Sequence, residues 1–227
     1  MLQALPATQN LIDRAYQQIL AAIADGTLLP GQRIRQTELA DTLGVSRQPV
    51  SHALHLLKRQ GLVEDVGRKG LRVVPLDPVR VTQLYQVREA VDGLAARLAA
   101  QRSAAGATDP VEIEGLSKQL EAGSRFDSTT PIPILVRADT DFHRGLYRLS
   151  GNPAIEEMTG PLWPHLMRSM AMVLREPNYA ARVWRQEHAA ILRHILDGDP
   201  AQAEAGARLH AVTASRLTAE QWQPKAA

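Results

Sequence analysis

The stretch Thr37–Gly61 limits the possible folds of this chain more than any other, because it predicts two helices joined by a tight turn. The first helix is expected over Thr37–Leu43, and Gly44 follows where a helix end needs a residue free to take a positive φ. Ser46 offers a hydroxyl that can cap the second helix, and Pro49 falls in its first turn, where a missing N–H costs no hydrogen bond. The stretch therefore predicts a helix-turn-helix.

The second helix of this pair has two chemically different faces. Apolar residues recur at helical spacing and are expected to point inward, namely Val50, Ala53, Leu54 and Leu57. The opposite face is basic and amide-bearing, and it carries Arg47, Gln48, Ser51, His52, His55, Lys58 and Arg59. Such a face suits the DNA major groove. The alternative is an ordinary helical hairpin with a solvated polar face.

Beyond Gly61 the hydrophobic period changes from helical to extended. Residues 62–66 and 71–74 flank a Gly-Arg-Lys-Gly segment, which predicts a β-hairpin with a glycine-rich turn. The turn carries Arg68 and Lys69, which suit contact with a phosphate or the minor groove. On an isolated hairpin these cations would more simply serve solubility. Because this hairpin follows a helix-turn-helix, we interpret it as the wing of a winged helix.

A domain boundary is predicted at Pro75-Leu76-Asp77-Pro78, since two prolines in four residues break both helix and strand. The predicted domains are therefore residues 1–76 and residues 77–227. No strand pattern appears beyond the boundary. Helix signals recur there six times, with Asp109-Pro110, Asn152-Pro153 and Asp199-Pro200 as starts. The expected fold is mainly α, with an N-terminal winged helix-turn-helix and a C-terminal all-α six-helix bundle.

Composition narrows the class of protein. The chain of 227 residues has no cysteine, which excludes disulfides and thiolate metal sites. No apolar run approaches the ~18–20 residues of a membrane helix, and the first residues do not resemble a signal peptide, so we expect a cytoplasmic protein without a membrane partner. Residues 1–76 hold nine Lys or Arg against six Asp or Glu, whereas residues 77–227 hold seventeen against eighteen. A basic N-terminal part fits nucleic-acid binding at one end.

Ordered motifs run along both parts of the chain. The N-terminal motifs are Leu29-Pro30-Gly31, Glu38-Leu39-Ala40, Leu43-Gly44-Val45-Ser46-Arg47, Pro49-Val50 and Gly61-Leu62-Val63. The C-terminal motifs are Asp139-x-x-Phe142-His143, Ser150-Gly151-Asn152-Pro153, Glu187-His188, Gly198-Asp199 and His210. Over nearly its whole length the chain thus resembles a GntR-family transcriptional regulator. It resembles the FadR-type subgroup with an FCD sensor domain, in the VanR-like six-helix variety.

The resemblance implies a homodimeric, ligand-responsive DNA-binding regulator, most simply a repressor and not an enzyme. Its implied DNA contacts are Arg35, Thr37, Ser46, Arg47, Gln48, Ser51, His52, His55, Arg68 and Lys69. Arg47 is expected at a guanine edge or phosphate, and Gln48 can pair with adenine in two places. The chain departs from the family at Thr37, which usually is Arg, and at Ser51-His52, which usually are Arg-Glu.

Four residues of the second domain form a candidate metal site. Asp139 and His143 lie one helical turn apart on one face, and His188 and His210 fall on the two following long helices, so a bundle can bring the four together. One carboxylate and three imidazoles suit Zn²⁺, Ni²⁺ or Mn²⁺ and leave open positions. A surface ion pair and satisfied core histidines are the alternatives. The family resemblance implies the metal, because its ligands fall on these four positions.

Open coordination positions suggest how the chain senses its ligand. A small organic acid can bind the metal through a carboxylate, and Arg88 and Arg137 are the candidate partners because a guanidinium can grip a carboxylate in two places. Two other hypotheses stay open at this point. The same cluster could activate water in a metalloenzyme, or the metal could be purely structural in a DNA-binding protein.

Overall fold

The computed structural model describes residues 8–67, 70–176 and 178–221. The chain divides into two compact units, one up to Leu76 and one from Asp77. In the described part of the chain, the helices are all too short or too polar to cross a membrane.

The first unit combines three helices with a small antiparallel sheet. The helices are α1 (Thr8–Ala24), α2 (Gln36–Leu43) and α3 (Arg47–Arg59). The strands are β1 (Arg33–Ile34), β2 (Val63–Val66) and β3 (Gly70–Val73), in the spatial order β1-β3-β2. The predicted hairpin is present as β2 and β3. The sequence analysis missed β1, because two residues are too few to show an alternating pattern.

Apolar side chains from α1, α3 and the sheet form the core of the first unit. Ile23, Val50 and Leu57 are fully buried there, with Leu62 and Val73 of the sheet region against them. The inward face predicted for α3 is confirmed, since Ala53 and Leu54 are buried too. This packing holds the polar face of α3 outward.

The turn between α2 and α3 depends on Gly44. This residue has a φ of 63°, and its N–H donates to the carbonyls of Ala40 and Asp41, which closes α2. Ser46 occupies the N-cap position of α3, but its side chain makes no capping hydrogen bond. The prediction that this hydroxyl caps α3 is therefore wrong. Ser46 is exposed, so its hydroxyl is open to solvent instead.

The described part of the second unit is helical. Its elements are α4 (Pro78–Ala104), α5 (Pro110–Gly123), α6 (Ile132–Leu149), α7 (Pro153–Thr159), a 3₁₀ turn (Gly160–Leu162), α8 (Trp163–Val173), α9 (Tyr179–Arg182), a π-helical segment (Val183–His188), α10 (Ala189–Leu196) and α11 (Pro200–Glu220). The sequence predicts one helix from Asn152-Pro153 toward Leu174 with a kink at Pro161 or Pro164, and the 3₁₀ turn, which contains Pro161, interrupts it. The sequence also predicts a helix over Tyr179–Leu196, and this range contains the π-helical segment, which no proline or glycine indicates.

Side-chain caps begin several of these helices. The carboxylates of Asp77 and Asp109 accept from the N–H groups of Val79 and Val111. Asn152 and Asp199 do the same for α7 and α11, as the sequence predicted. Four polar residues in front of prolines thus fix where the helices of the second unit start.

Glycine permits one close helix approach that matters for the buried centre. A Cβ at Gly123, the last residue of α5, would overlap the indole of Trp184. Trp184 lies in the π-helical segment and is fully buried. The absence of a side chain at Gly123 therefore lets this segment, which ends in His188, pack close to α5.

Replacement of the buried Leu57 by alanine is expected to destabilise the first unit. Leu57 is fully buried on α3, so Leu57→Ala should cost about 2–5 kcal/mol through lost burial and the cavity left behind. Denaturant unfolding of the full chain measures this loss. The neighbouring Leu56 is 37% exposed, and Leu56→Ala should change stability by only about 0.5 kcal/mol. Equal losses in the two variants would contradict this account of the core.

Candidate DNA interface and candidate metal centre

The outer face of α3 presents the polar residues that the sequence analysis selected. Arg47 and Gln48 begin this face in the first turn, and both are exposed. The other exposed candidates are Arg35, Thr37, Ser46, Ser51, His52 and His55. Arg68 and Lys69, the expected wing cations, lie outside the described residues. The first unit therefore offers a continuous polar surface along α3, which is the geometry a major groove accepts.

A cleft of about 500 Å³ lies between the starts of α2 and α3 and the hairpin, and arginines line it. Arg33, Arg35 and Arg47 contribute the three guanidinium groups. Arg35 pairs with Glu38 at 2.8 Å, with both side chains well exposed. Arg33 passes over Gly70, where a Cβ would lie 3.3 Å from its Nη2. Arg33 is not among the DNA contacts predicted from the sequence. The sequence signal that could have found it is the alternation of an exposed cation with the buried Ile34 in the short strand β1.

The second unit brings Asp139, His143, His188 and His210 together at a buried point. One ligand atom from each of the four lies within 4.8 Å of the others, and all four residues are buried. Asp139 and His143 come from α6, His188 from the end of the π-helical segment and His210 from α11. The convergence expected from the sequence is thus present in the fold. Arg137 is exposed, since it lies about 200° around α6 from Asp139, so the structure leaves it outside this cluster.

The carboxylate of Asp139 lies close to two of the imidazoles in the cluster. Asp139 Oδ1 lies 3.4 Å from His188 Nε2, and Asp139 Oδ2 lies 3.7 Å from His143 Nε2. Among the described residues, neither ring nitrogen of the fully buried His188 has a hydrogen-bond partner. Buried polar atoms without partners are costly and call for an explanation such as a bound ion.

Two further carboxylates stand behind the histidines. Glu187 Oε2 accepts from His210 Nδ1 at 2.7 Å. Asp92 Oδ2 lies 3.2 Å from His143 Nδ1, although the two are not aligned for a hydrogen bond. A carboxylate beside Nδ1 leaves the Nε2 lone pair facing the cluster, as in many metal sites. The sequence analysis did not assign Asp92 or Glu187 to the site, because only the fold brings them behind the histidines.

The environment keeps two of the histidines neutral and the supporting acids ionised. Burial lowers the pKa of His188 well below its usual value, and burial followed by the charge of Arg88 lowers the pKa of His143. Burial would raise the pKa of Glu187, but His210 and Arg182 bring it below its ordinary value. Metal ligation requires neutral imidazoles, so this state favours it.

Arg88 points into the same cluster from α4. Its side chain is buried, and its Nε donates to Asp92 Oδ2 at 3.1 Å. Its Nη2 lies 2.5 Å from His143 Nε2, 3.5 Å from His210 Nε2 and 3.8 Å from Asp139 Oδ2. The guanidinium therefore engages the lone pairs that a metal would use.

The donor set fits a divalent transition metal. Three imidazoles, one carboxylate and acids behind two of the rings match the ligands such ions prefer, and His188 has two unpartnered nitrogens. Metal–imidazole bonds are ~2.0–2.1 Å long. Holding a metal would therefore require Arg88 Nη2 to release His143 Nε2. The residues fit the ion, with Arg88 as the group that has to yield.

Comparison with known proteins agrees with this architecture. The family model described as bacterial regulatory proteins, gntR family, matches residues 11–73, and the FCD domain model matches residues 83–213. The fold is similar to that of E. coli McbR/YncC, with a TM-score of 0.79 at 17% identity over 98% of this chain and 100% of that one.

Curated relatives also extend over most of the chain. An uncharacterized HTH-type transcriptional regulator in an unstable DNA locus of Streptomyces ambofaciens is 32% identical over 195 residues, which is 86% of this chain and 79% of that protein. The HTH-type transcriptional repressor NanR of Enterobacter sp. (strain 638) is 28% identical over 222 residues, covering 88% and 81%. This chain therefore belongs to the GntR family of bacterial transcriptional regulators and carries an FCD domain.

Proposed function

We propose that this regulator is a repressor whose operator affinity is controlled by a small organic acid at a metal-containing pocket of the second unit. The observation that carries the proposal is the buried cluster of three histidines and Asp139, supported from behind by two carboxylates. A purely structural core has no need to gather so many ionisable groups at one point. The relative NanR is named a repressor, which supports repression as the mode of regulation.

DNA recognition is assigned to α3 and the cleft beside it. Arg47 and Gln48 are exposed in the first turn of α3, where the side chains of a recognition helix reach base edges. Thr37 and Ser51 are too short to replace the arginines expected there. Arg33, which lines the same cleft as Arg47, supplies a cation that offsets part of this loss.

The second unit is assigned the sensing role. Asp139, His143, His188 and His210 would hold Zn²⁺, Ni²⁺ or Mn²⁺, which supplies a Lewis acid for one carboxylate oxygen when bound. Arg88 pairs with the effector carboxylate once its guanidinium is released from His143. Asp92 keeps hold of Arg88 Nε and so limits where the guanidinium can turn.

A homodimer would link sensing to DNA binding. The two recognition helices of the dimer then contact the two half-sites of a pseudo-palindrome. The effector acts by favouring one relative arrangement of the two DNA-binding units. Leu209 and Val212 support a dimer, because they lie on one face of α11 and are 66% and 46% exposed.

Loss of the Arg47 side chain is expected to weaken specific DNA binding. Arg47→Ala should weaken binding by roughly 10–100-fold, because an arginine contact to a base is worth ~1–3 kcal/mol. The probe is a DNA duplex selected from a random pool by the full-length protein, and a gel shift gives its affinity. Arg193→Ala removes an exposed cation of α10 and is the control for net charge. An unchanged affinity in Arg47→Ala would contradict the assignment of α3 as the recognition helix.

Loss of one central histidine is expected to empty the metal site. Elemental analysis of protein purified without chelators should find about one divalent transition metal per chain in the wild type and little in His188→Ala. His194→Ala is the matched control, because His194 lies on α10 outside the cluster. This variant should keep its metal. Absence of metal from the wild type would overturn the metal part of the proposal. If the wild type holds metal but organic acids do not change its affinity for DNA, the metal is a structural ion and the sensing role is contradicted.

A further inference from the structure

The arginine-lined cleft of the first unit carries positive charge that its own side chains do not balance. Of its three guanidinium groups, that of Arg35 pairs with Glu38 on the same helix. Within the described part of the chain, no carboxylate lies at ion-pair distance from Arg33 or Arg47, and no acidic residue lines the cleft. Two unpaired cations on one concave surface attract an anion.

A row of charged side chains across the sheet explains why Arg33 is unpaired. Arg33 of β1 lies opposite Arg72 of β3, and Arg72 lies opposite Glu64 of β2. Side chains directly opposite each other in an antiparallel sheet share one face. Arg72 Nε donates to Glu64 Oε1 at 2.6 Å, so the nearer arginine takes the carboxylate. Arg33, on the outer strand, keeps its guanidinium exposed beside Gly70.

Two helices begin at the same cleft, and neither start has a side-chain cap. α2 begins at Gln36 and α3 at Arg47, and both residues line the cleft. Arg35 and Ser46 occupy the two N-cap positions, and neither side chain makes a capping hydrogen bond. In contrast, α4, α5, α7 and α11 of the second unit are each capped by a carboxylate or an amide. Uncapped N–H groups at the positive end of a helix favour an anion.

The chemistry of the cleft matches a phosphate group of a DNA backbone. Guanidinium groups bind phosphate oxygens through paired N–H donors, and the N–H groups of a helix start do the same. Arg47 and Gln48 begin the exposed face of α3 directly beside the cleft. Base edges and backbone phosphates of one duplex lie side by side, so a phosphate can enter the cleft while α3 reaches the bases.

We propose that this cleft is a binding site for a phosphate of the operator backbone, with Arg33 as its principal contact. The inference rests on the proposed recognition of DNA by α3. Arg35 takes a lesser part because Glu38 already holds its guanidinium, and Thr37, which lines the cleft, adds a hydroxyl donor. A phosphate carries no sequence information, so Arg33 contributes affinity and position while the face of α3 selects the bases.

Such a contact has a signature in the salt dependence of binding. Each phosphate that a protein neutralises releases counterions and adds about −0.9 to the slope of log affinity against log salt concentration. Arg33→Gln should therefore make this slope shallower by about 0.9 for each bound copy of the chain. At low salt it should weaken a selected duplex and an unrelated duplex by the same factor, roughly tenfold, so that their ratio stays unchanged.

The test measures the binding of the full-length protein to the selected duplex and to a scrambled one by fluorescence anisotropy, from about 50 to 200 mM salt. Arg33→Gln should show the shallower slope with an unchanged melting temperature, since Arg33 is exposed. Arg33→Lys keeps a cation and should keep most of the slope. Arg72→Gln is the matched control, because it removes the neighbouring arginine that Glu64 already compensates, and it should keep the wild-type slope.

Neutral backbone analogues show whether the contact is direct. Single phosphates of the selected duplex are replaced in turn by methylphosphonate, which has no charge. At the position that enters the cleft, this replacement should weaken binding of the wild type about tenfold. The same replacement should not affect Arg33→Gln, because the contact is already absent from that variant.

The outcomes separate this inference from the proposed function. If the wild type selects no duplex, DNA recognition fails and the inference fails with it. If Arg47→Ala weakens specific binding but Arg33→Gln keeps the wild-type slope, recognition stands and only the phosphate site is overturned. Equal changes in Arg33→Gln and Arg72→Gln would reduce the effect to overall charge and also overturn it. Competition by inorganic phosphate at constant ionic strength, without any coupled backbone position, would assign the cleft to a free anion and contradict the backbone contact.

Discussion

The carboxylate of Asp92 joins α4 to α6 at the centre of the second unit. Its Oδ2 accepts from Arg88 Nε and faces His143 Nδ1, while its Oδ1 accepts from the hydroxyl of Tyr147. A carboxylate this deeply buried is tolerated only with such compensation. Burial alone would raise the pKa of Asp92, but the charge of Arg88 and the hydrogen bond from Tyr147 bring it below its ordinary value. The orientation of the histidine, the arginine and the tyrosine follows from this one charge.

Arg88 extends the same network to the histidine cluster. Arg88 Nη2 lies beside the lone pair of His143 Nε2 in this structure. Three buried aromatic donors have no hydrogen-bond partner in the described part of the chain, namely Tyr85 Oη, Trp163 Nε1 and Trp184 Nε1. A site with an internal cation and unsatisfied donors is stabilised by ligands that supply what is missing.

The first unit is held together mainly by apolar packing. Buried side chains hold α3 against α1 and the sheet, so the outer face of α3 stays exposed. Gly70 belongs to the tight part of the hairpin, because a Cβ there would lie only 2.6 Å from the carbonyl oxygen of Val66. The described surface therefore combines exposed polar side chains of α3 with cations from β1 and the start of α2.

Periodicity, caps and family motifs in the sequence determined the winged helix, the helical second unit and the four residues of the cluster. Those signals are local: Gly44 ends a helix, Asp109 begins one, and Asp139 and His143 share a face because helix geometry requires it. Only the tertiary structure decided the rest. Asp92 and Glu187 stand behind the histidines, Arg137 lies outside and Arg33 lies in the cleft because of how elements pack. The π-helical segment likewise depends on neighbours distant in sequence, which no local pattern encodes.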